Sequence, residues 1–312
     1  MSTSLDGQIE AYLHSLSEQG IPPLYRLGLS EARETYRELS VPDEPLDAVG
    51  SIQERSVPGP DSEIQLRTYT PDVDGPHPSL VFFHGGGWML GGLDTHDALC
   101  RALANEAESV VTAVDYRLAP EHRFPAALAD CYAATGWVAD NAPTLGAEPG
   151  TLLTCGDSAG ANLAAAVGLL ARDRDGPDID HQVLAYPPTD YAFDTDSYEE
   201  NAQGYFLTRA DMQRFWNAYL RSETDGTHPY ASPLRAETLS GLPRSLVVTA
   251  GFDPLRDEGV AFADRLSDAG VPTLHRQYDA MIHGFLTMLS NPELDGARDA
   301  IASIGETLQA GL

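Results

Sequence analysis

From residue 79 onward, short apolar runs alternate with longer amphipathic segments. The runs are SLVFF (79–83), VVTAVDY (110–116), TLLTC (151–155), QVLAYP (182–187), SLVVTAG (245–251) and TLHRQYD (273–279). Helical periodicity follows at 125–140, after Ser158, at 257–269 and at 293–309. Strands apolar on both faces, separated by amphipathic helices, predict a mostly parallel central sheet flanked by helices. Upstream, residues 7–38 read as helices broken at Pro22-Pro23. Ile9, Leu13 and Leu16 share one face, and Ser30 with Glu34 opens the second helical segment. The runs 49–57 and 62–70, joined by the turn-rich VPGPDS, predict a hairpin.

One stretch interrupts the alternation. Residues 188–240 hold acidic loops and one helix, 209–221, with Thr208 and Asp211 spaced as a capping pair. The expected organisation is therefore a core of 46–187 and 241–312, with 1–45 and 188–240 contributing a helical cap.

Charge narrows the partners. The 312 residues carry 47 Asp and Glu against 19 Arg and no Lys, a formal net charge of −28. Such a field repels nucleic acid and anionic lipid. The acids are spread along the chain, and the balance resembles that of proteins from salt-loving microbes. Three cysteines (Cys100, Cys131, Cys155), no signal-like N-terminus and no run of ~20 apolar residues point to a reducing cytoplasm and no membrane span. A homodimer is compatible with this reading.

Ligands of such sheets bind beyond the carboxyl ends of the strands. Four ends carry polar signatures: His84-Gly85-Gly86-Gly87-Trp88, Gly156-Asp157-Ser158-Ala159-Gly160, Asp253-Pro254 and His283-Gly284-Phe285. A serine between two glycines, where a strand becomes a helix, is either an N-cap in a tight turn or an exposed nucleophile. A serine hydroxyl needs a base, and the base needs an orienting acid. Ser158, His283 and Asp253 supply these types, with the backbone N–H groups of Gly85, Gly86 and Ala159 to meet an oxyanion.

The stretches HGGGW (84–88), YRLAPEHRFPAALAD (116–130), GDSAG (156–160), DPLRDEG (253–259) and HGF (283–285) resemble the hormone-sensitive-lipase-like branch of the α/β-hydrolases, over about residues 45–312. That resemblance implies an α/β-hydrolase fold and a carboxylic ester hydrolase with neither metal nor organic cofactor. It implies a Ser158–Asp253–His283 triad with Gly85, Gly86 and Ala159 as the oxyanion hole; the small cap expected of 1–45 and 188–240 argues for esters of short to medium acyl chain. The resemblance gives His84 a supporting role in the oxyanion loop. Ala161 and Ala280 stand where the family often has glycine. Amide or lactone hydrolysis uses the same triad, and a non-enzymatic binder shares the fold.

Other residues have blander readings. Asp257 and Glu258 rival Asp253 but lie where a helix N-terminus favours acids anyway. Asp157 braces its turn. Arg117 and Glu121 read as a structural ion pair or hydrogen-bond anchor. Asp94, His96 and Asp97 form a short loop cluster too sparse for a metal. Cys155 reads as a small buried apolar residue. Phe206, Phe215, Trp216 and Tyr219 read as cap core, with some lining an acyl pocket.

Overall fold

The computed structural model describes residues 4–42, 46–290 and 292–311. Its centre is one eight-stranded sheet: β1 (Ser51–Pro58), β2 (Glu63–Thr70), β3 (Ser79–Phe83), β4 (Val110–Asp115), β5 (Leu152–Asp157), β6 (His181–Ala185), β7 (Arg244–Phe252) and β8 (Thr273–Ile282). The spatial order is β1-β2-β4-β3-β5-β6-β7-β8. β1 and β2 form the predicted hairpin, and β2 runs antiparallel to β4, with Leu66 opposite Val114. From β4 through β8 all pairings are parallel.

Alternation within the strands explains why both faces are apolar. Leu80 and Phe82 of β3 pack into one core, with Leu99 and Leu103 of α3 (Asp97–Glu106) and Ile301 and Ile304 of α9 (Asp295–Ala310). Val81 and Phe83 point the other way. They join Leu128 and Val138 of α4 (Ala126–Asn141), Leu163 and Val167 of α5 (Ala159–Asp173) and Phe262 of α8 (Arg256–Asp268). Each buried Leu or Phe contributes roughly 1.5–3 kcal/mol, so two such layers hold the sheet rigid beneath its loops.

The N-terminal helices are α1 (Gly7–Glu18) and α2 (Leu29–Ser40). α2 follows Gly28 with no side-chain cap, so Ser30 lies inside its first turn and is not the opening residue. Residues 188–240 carry the short α6 (Asp196–Glu200) and α7 (Arg209–Tyr219). α7 begins with a capping box: Thr208 Oγ1 accepts the Asp211 N–H at 3.0 Å, and Asp211 Oδ2 accepts the Thr208 N–H at 3.1 Å. Asp211 Oδ1 also accepts the N–H of Tyr25 at 2.8 Å, tying this segment to the N-terminal one. α3 carries a correction: Asp97 is its first residue, not part of a loop, because Leu99, Cys100 and Leu103 turn inward from there.

Candidate active site

Strand β5 passes into helix α5 through Ser158, whose φ of 52° and ψ of −121° lie where a side-chain-bearing residue is strained. The turn is tight because the elements nearly touch. A Cβ on Gly160 would sit 1.8 Å from the carbonyl oxygen of Phe83, and one on Gly156 would sit 2.3 Å from Gly160. Ser158 occupies the N-cap position, yet its side chain makes no capping bond. Its Oγ lies instead 2.8 Å from His283 Nε2.

His283 follows the end of β8, and Asp253 the end of β7. His283 Nδ1 lies 2.8 Å from Asp253 Oδ2. Asp253 is fully buried, and its Oδ1 accepts the Leu255 N–H at 2.8 Å. A buried carboxylate accepts only, so Nδ1 carries the proton and Nε2 offers its lone pair to the serine O–H. The ring of Tyr186, at the end of β6, packs edge-on to the imidazole with centroids 4.7 Å apart. The rival acids are engaged elsewhere. Asp257 Oδ2 accepts the Ser197 N–H, and Glu258 Oε1 accepts the Thr189 N–H, both at 2.8 Å. Burial pushes the Glu258 carboxyl well above its ordinary range.

The glycine loop of residues 84–87 runs beside Ser158. Gly85 does not fit the expected oxyanion role: its N–H donates to Asp157 Oδ1 at 2.8 Å. Gly86 and Gly87, not Gly85, line the cavity above Ser158. Gly86 has φ 112°, and a Cβ there would meet the Leu90 carbonyl oxygen at 2.4 Å. Ala159 is the first residue of α5, where helical N–H groups lack intrahelical acceptors. His84 is buried under Tyr116, whose ring stacks on it at 4.2 Å. Its Nδ1 meets the Gly85 carbonyl oxygen at 2.7 Å, and burial pushes its pKa down to about 3, so the ring is neutral. Asp157 stays ionised: burial opposes the charge, but His96 and the Gly85 N–H outweigh it and hold the pKa below its usual value.

One further expectation changes. Arg117 pairs with Asp130 and Asp61, not with Glu121, which binds Arg33. Asp94 and Asp97 both meet Arg67, whereas His96 faces Asp157. Trp216 and Tyr219 pack around Trp88, with the Tyr219 ring stacked on it at 4.4 Å, and do not line the cavity.

The cavity over Ser158 is small, about 70 Å³. Phe206, Leu207 and Phe215 wall it from one segment, and Tyr12 of α1, Tyr36 of α2 and Leu24 between them from the N-terminal one. A larger groove of about 830 Å³, between α2 and β2, includes neither Ser158 nor His283. Sequence reasoning missed Gly87, Tyr12, Tyr36 and Tyr186 as site residues. Only the triple glycine signalled any of them.

A family model described as the α/β-hydrolase fold matches residues 80–287. A carboxylic ester hydrolase of Mycobacterium tuberculosis, LipN, is 46% identical over 81% of this chain and 69% of its own. An ethyl acetate hydrolase of Pseudomonas putida is 34% identical over 99% of this chain and 100% of its own. The crystal structure of a thermostable esterase from Pseudomonas putida superposes with a TM-score of 0.94 at 36% identity, covering 100% of this chain and 99% of that one.

Proposed function

We propose, from the premise that the chain belongs to the α/β-hydrolase family and hydrolyses carboxylic esters, that it works through an acyl-serine intermediate at Ser158. The observation that carries the reading is the continuous relay Asp253–His283–Ser158, 2.8 Å at each step, ending on the strained turn. His283 Nε2 takes the serine proton as Oγ attacks the ester carbonyl. Asp253 holds the tautomer and steadies the imidazolium. The oxyanion is met by the N–H groups of Gly86, Gly87 and Ala159. Imidazolium then gives its proton to the departing alcohol, and water, activated by the same imidazole, releases the acid. Amide or lactone cleavage would use the same steps and is the second outcome that the assay below addresses.

Acyl groups of short to medium length fit this reading. A cavity of about 70 Å³ accepts few carbons beyond the carbonyl. The relative named for ethyl acetate supports the same range. Residues 1–45 and 188–240 act as the cap, since both supply walls of that cavity; residues 1–3 and 43–45 fall outside the described ones. The chain is read as a salt-adapted cytoplasmic enzyme, in keeping with its charge and with its three buried free cysteines. Among the described residues no helix is long and apolar enough to cross a membrane.

The test is a panel of nitrophenyl esters, anilides and lactones in high salt, with fluorophosphonate labelling and peptide mapping. Label on Ser158, and turnover lowered on the order of a millionfold in Ser158→Ala, are expected. Label on another serine overturns the assignment.

A further inference from the structure

Directly behind the relay lies a second histidine–aspartate pair. Asp157 precedes Ser158 in the chain and is buried. His96 Nε2 lies 3.2 Å from Asp157 Oδ1 and 3.4 Å from Oδ2, with both side chains almost wholly buried. The Gly85 N–H donates to the same Oδ1 at 2.8 Å and also faces His96 Nε2 at 3.3 Å. One carboxylate on the nucleophile's strand is thus linked to the first amide of the glycine loop and to a ring delivered by the segment before α3.

We propose that His96 and Asp157 form a positioning pair for ester hydrolysis, fixing the distance between the Ser158 turn and the N–H groups of Gly86 and Gly87. This rests on the reading of Ser158 as nucleophile. An ionised carboxylate offers lone pairs only, so the nitrogen facing it, His96 Nε2, donates to it, and the Gly85 N–H is then held by Asp157 Oδ1 and not by the ring. At the other edge of the ring, Nδ1 lies 2.9 Å from Thr95 Oγ1. That hydroxyl accepts the Gly92 N–H at 3.0 Å and lies 2.9 Å from the Gly92 carbonyl oxygen, to which it can donate. His96 is therefore clamped between the Asp157 carboxylate and the turn of residues 92–95.

The loop has little freedom once Gly85 is held. A Cβ on Gly85 would lie 2.4 Å from Asp157 Oδ2, so the backbone passes directly over the carboxylate. The neighbouring His84 is fixed by Tyr116, whose hydroxyl donates to the His84 carbonyl oxygen at 2.7 Å. Gly86 is the next residue along this clamped backbone. Oxyanion donors must sit about 2.7–3.1 Å from where the charge develops, so sub-ångström drift of the loop weakens the transition state and leaves ground-state binding intact.

The experiment compares His96→Leu, His96→Gln and Asp157→Asn with the wild-type enzyme on nitrophenyl acetate. It also measures inhibition by a trifluoromethyl ketone, whose serine adduct mimics the tetrahedral state. Loss of an oxyanion donor lowers kcat by ~10²–10³, and misplacement should lower it by roughly 10–100-fold. That loss is expected in His96→Leu and Asp157→Asn, with KM unchanged and ketone affinity falling in proportion to kcat/KM. His96→Gln, whose amide N–H can reach the same carboxylate, should recover most of the rate. Wild-type kcat in Asp157→Asn, or equal losses in the Gln and Leu variants, overturns the proposal. If His96→Leu does not fold, the Gln and Asn variants decide. Ser158→Ala separates the two readings: if it still turns over ester, the nucleophile assignment has failed rather than the pair.

Discussion

Asp253 and Asp257 lie four residues apart, both just beyond β7, and the sequence favours Asp253 because an acid at 257 already suits a helix N-terminus. Depth distinguishes them. Asp253 is fully buried with its second oxygen on the Leu255 N–H, whereas Asp257 turns outward to Arg256 and Ser197. Asp253→Asn should leave the fold intact and lower turnover by up to roughly 10⁴, because the amide favours the wrong imidazole tautomer. Asp257→Asn should lose far less. Steady-state kinetics on the two variants, with circular dichroism to check folding, decide it; a larger loss in Asp257→Asn would mean that the wrong acid has been assigned.

At the scale of elements, α7 and α8 set properties that no single residue shows. α7 places Phe215 against the glycine loop, where a Cβ on Gly87 would lie 2.3 Å from its ring, and in the cavity wall. Phe215→Ala should therefore shift preference toward longer acyl chains. Each buried CH₂ is worth ~0.8 kcal/mol, about fourfold in kcat/KM per carbon that newly fits. An unchanged ratio of octanoate to acetate hydrolysis would show that another wall limits the chain. α8 carries Glu258 into an apolar interior beneath Thr189. Its folded-state pKa is raised, mainly by burial, so the folded protein keeps a proton that the unfolded chain releases above ~4.3. The stability associated with that proton is full below ~4.3 and is lost as pH rises through the folded-state value. Glu258→Gln should flatten this slope and raise the melting temperature at pH 7, by roughly 2–4 °C per kcal/mol recovered. Melting curves from pH 5 to 8 with parallel slopes for both proteins would refute it.

For the whole molecule, charge dominates. Among the described residues the buried acids are Asp130, Asp157, Asp211, Asp253 and Glu258. Most of the 47 acids therefore face solvent, and only 19 Arg offset them. At ~0.1 M salt the Debye length is about 10 Å and surface carboxylates repel across it; at ~1 M it is about 3 Å and most of that repulsion is screened. Compact states pay for self-repulsion in stability. The protein should be most structured and most active in molar KCl or NaCl, and should lose structure on dialysis. Circular dichroism and esterase activity followed together from ~0.1 to ~3 M salt test this. Full structure and activity at the low end would show that the acidic balance is not a salt adaptation.

Much of this was legible without coordinates. Apolar alternation specifies two-faced strands because each run is short and locally complete, as in SLVFF. The Gly-Asp-Ser-Ala-Gly turn is legible because part of its constraint, the approach of Gly156 to Gly160, lies within five residues, although Phe83 of β3 presses on Gly160 as well. The choice of Gly87 over Gly85 was not, since it depends on a carboxylate 72 residues away claiming the Gly85 N–H. The partners of Arg117 and Glu121 were hidden for the same reason: four residues apart in sequence, they point to Asp130 and to Arg33 on different elements. The sequence by itself determined the sheet's apolar strands, the strained turn and the order of Ser, Asp and His, all of which follow from local periodicity and backbone sterics. Only the tertiary structure decided that Asp157 claims the Gly85 N–H, which glycines line the cavity and how small that cavity is, because these are distances between segments that the chain brings together only when its two cores close.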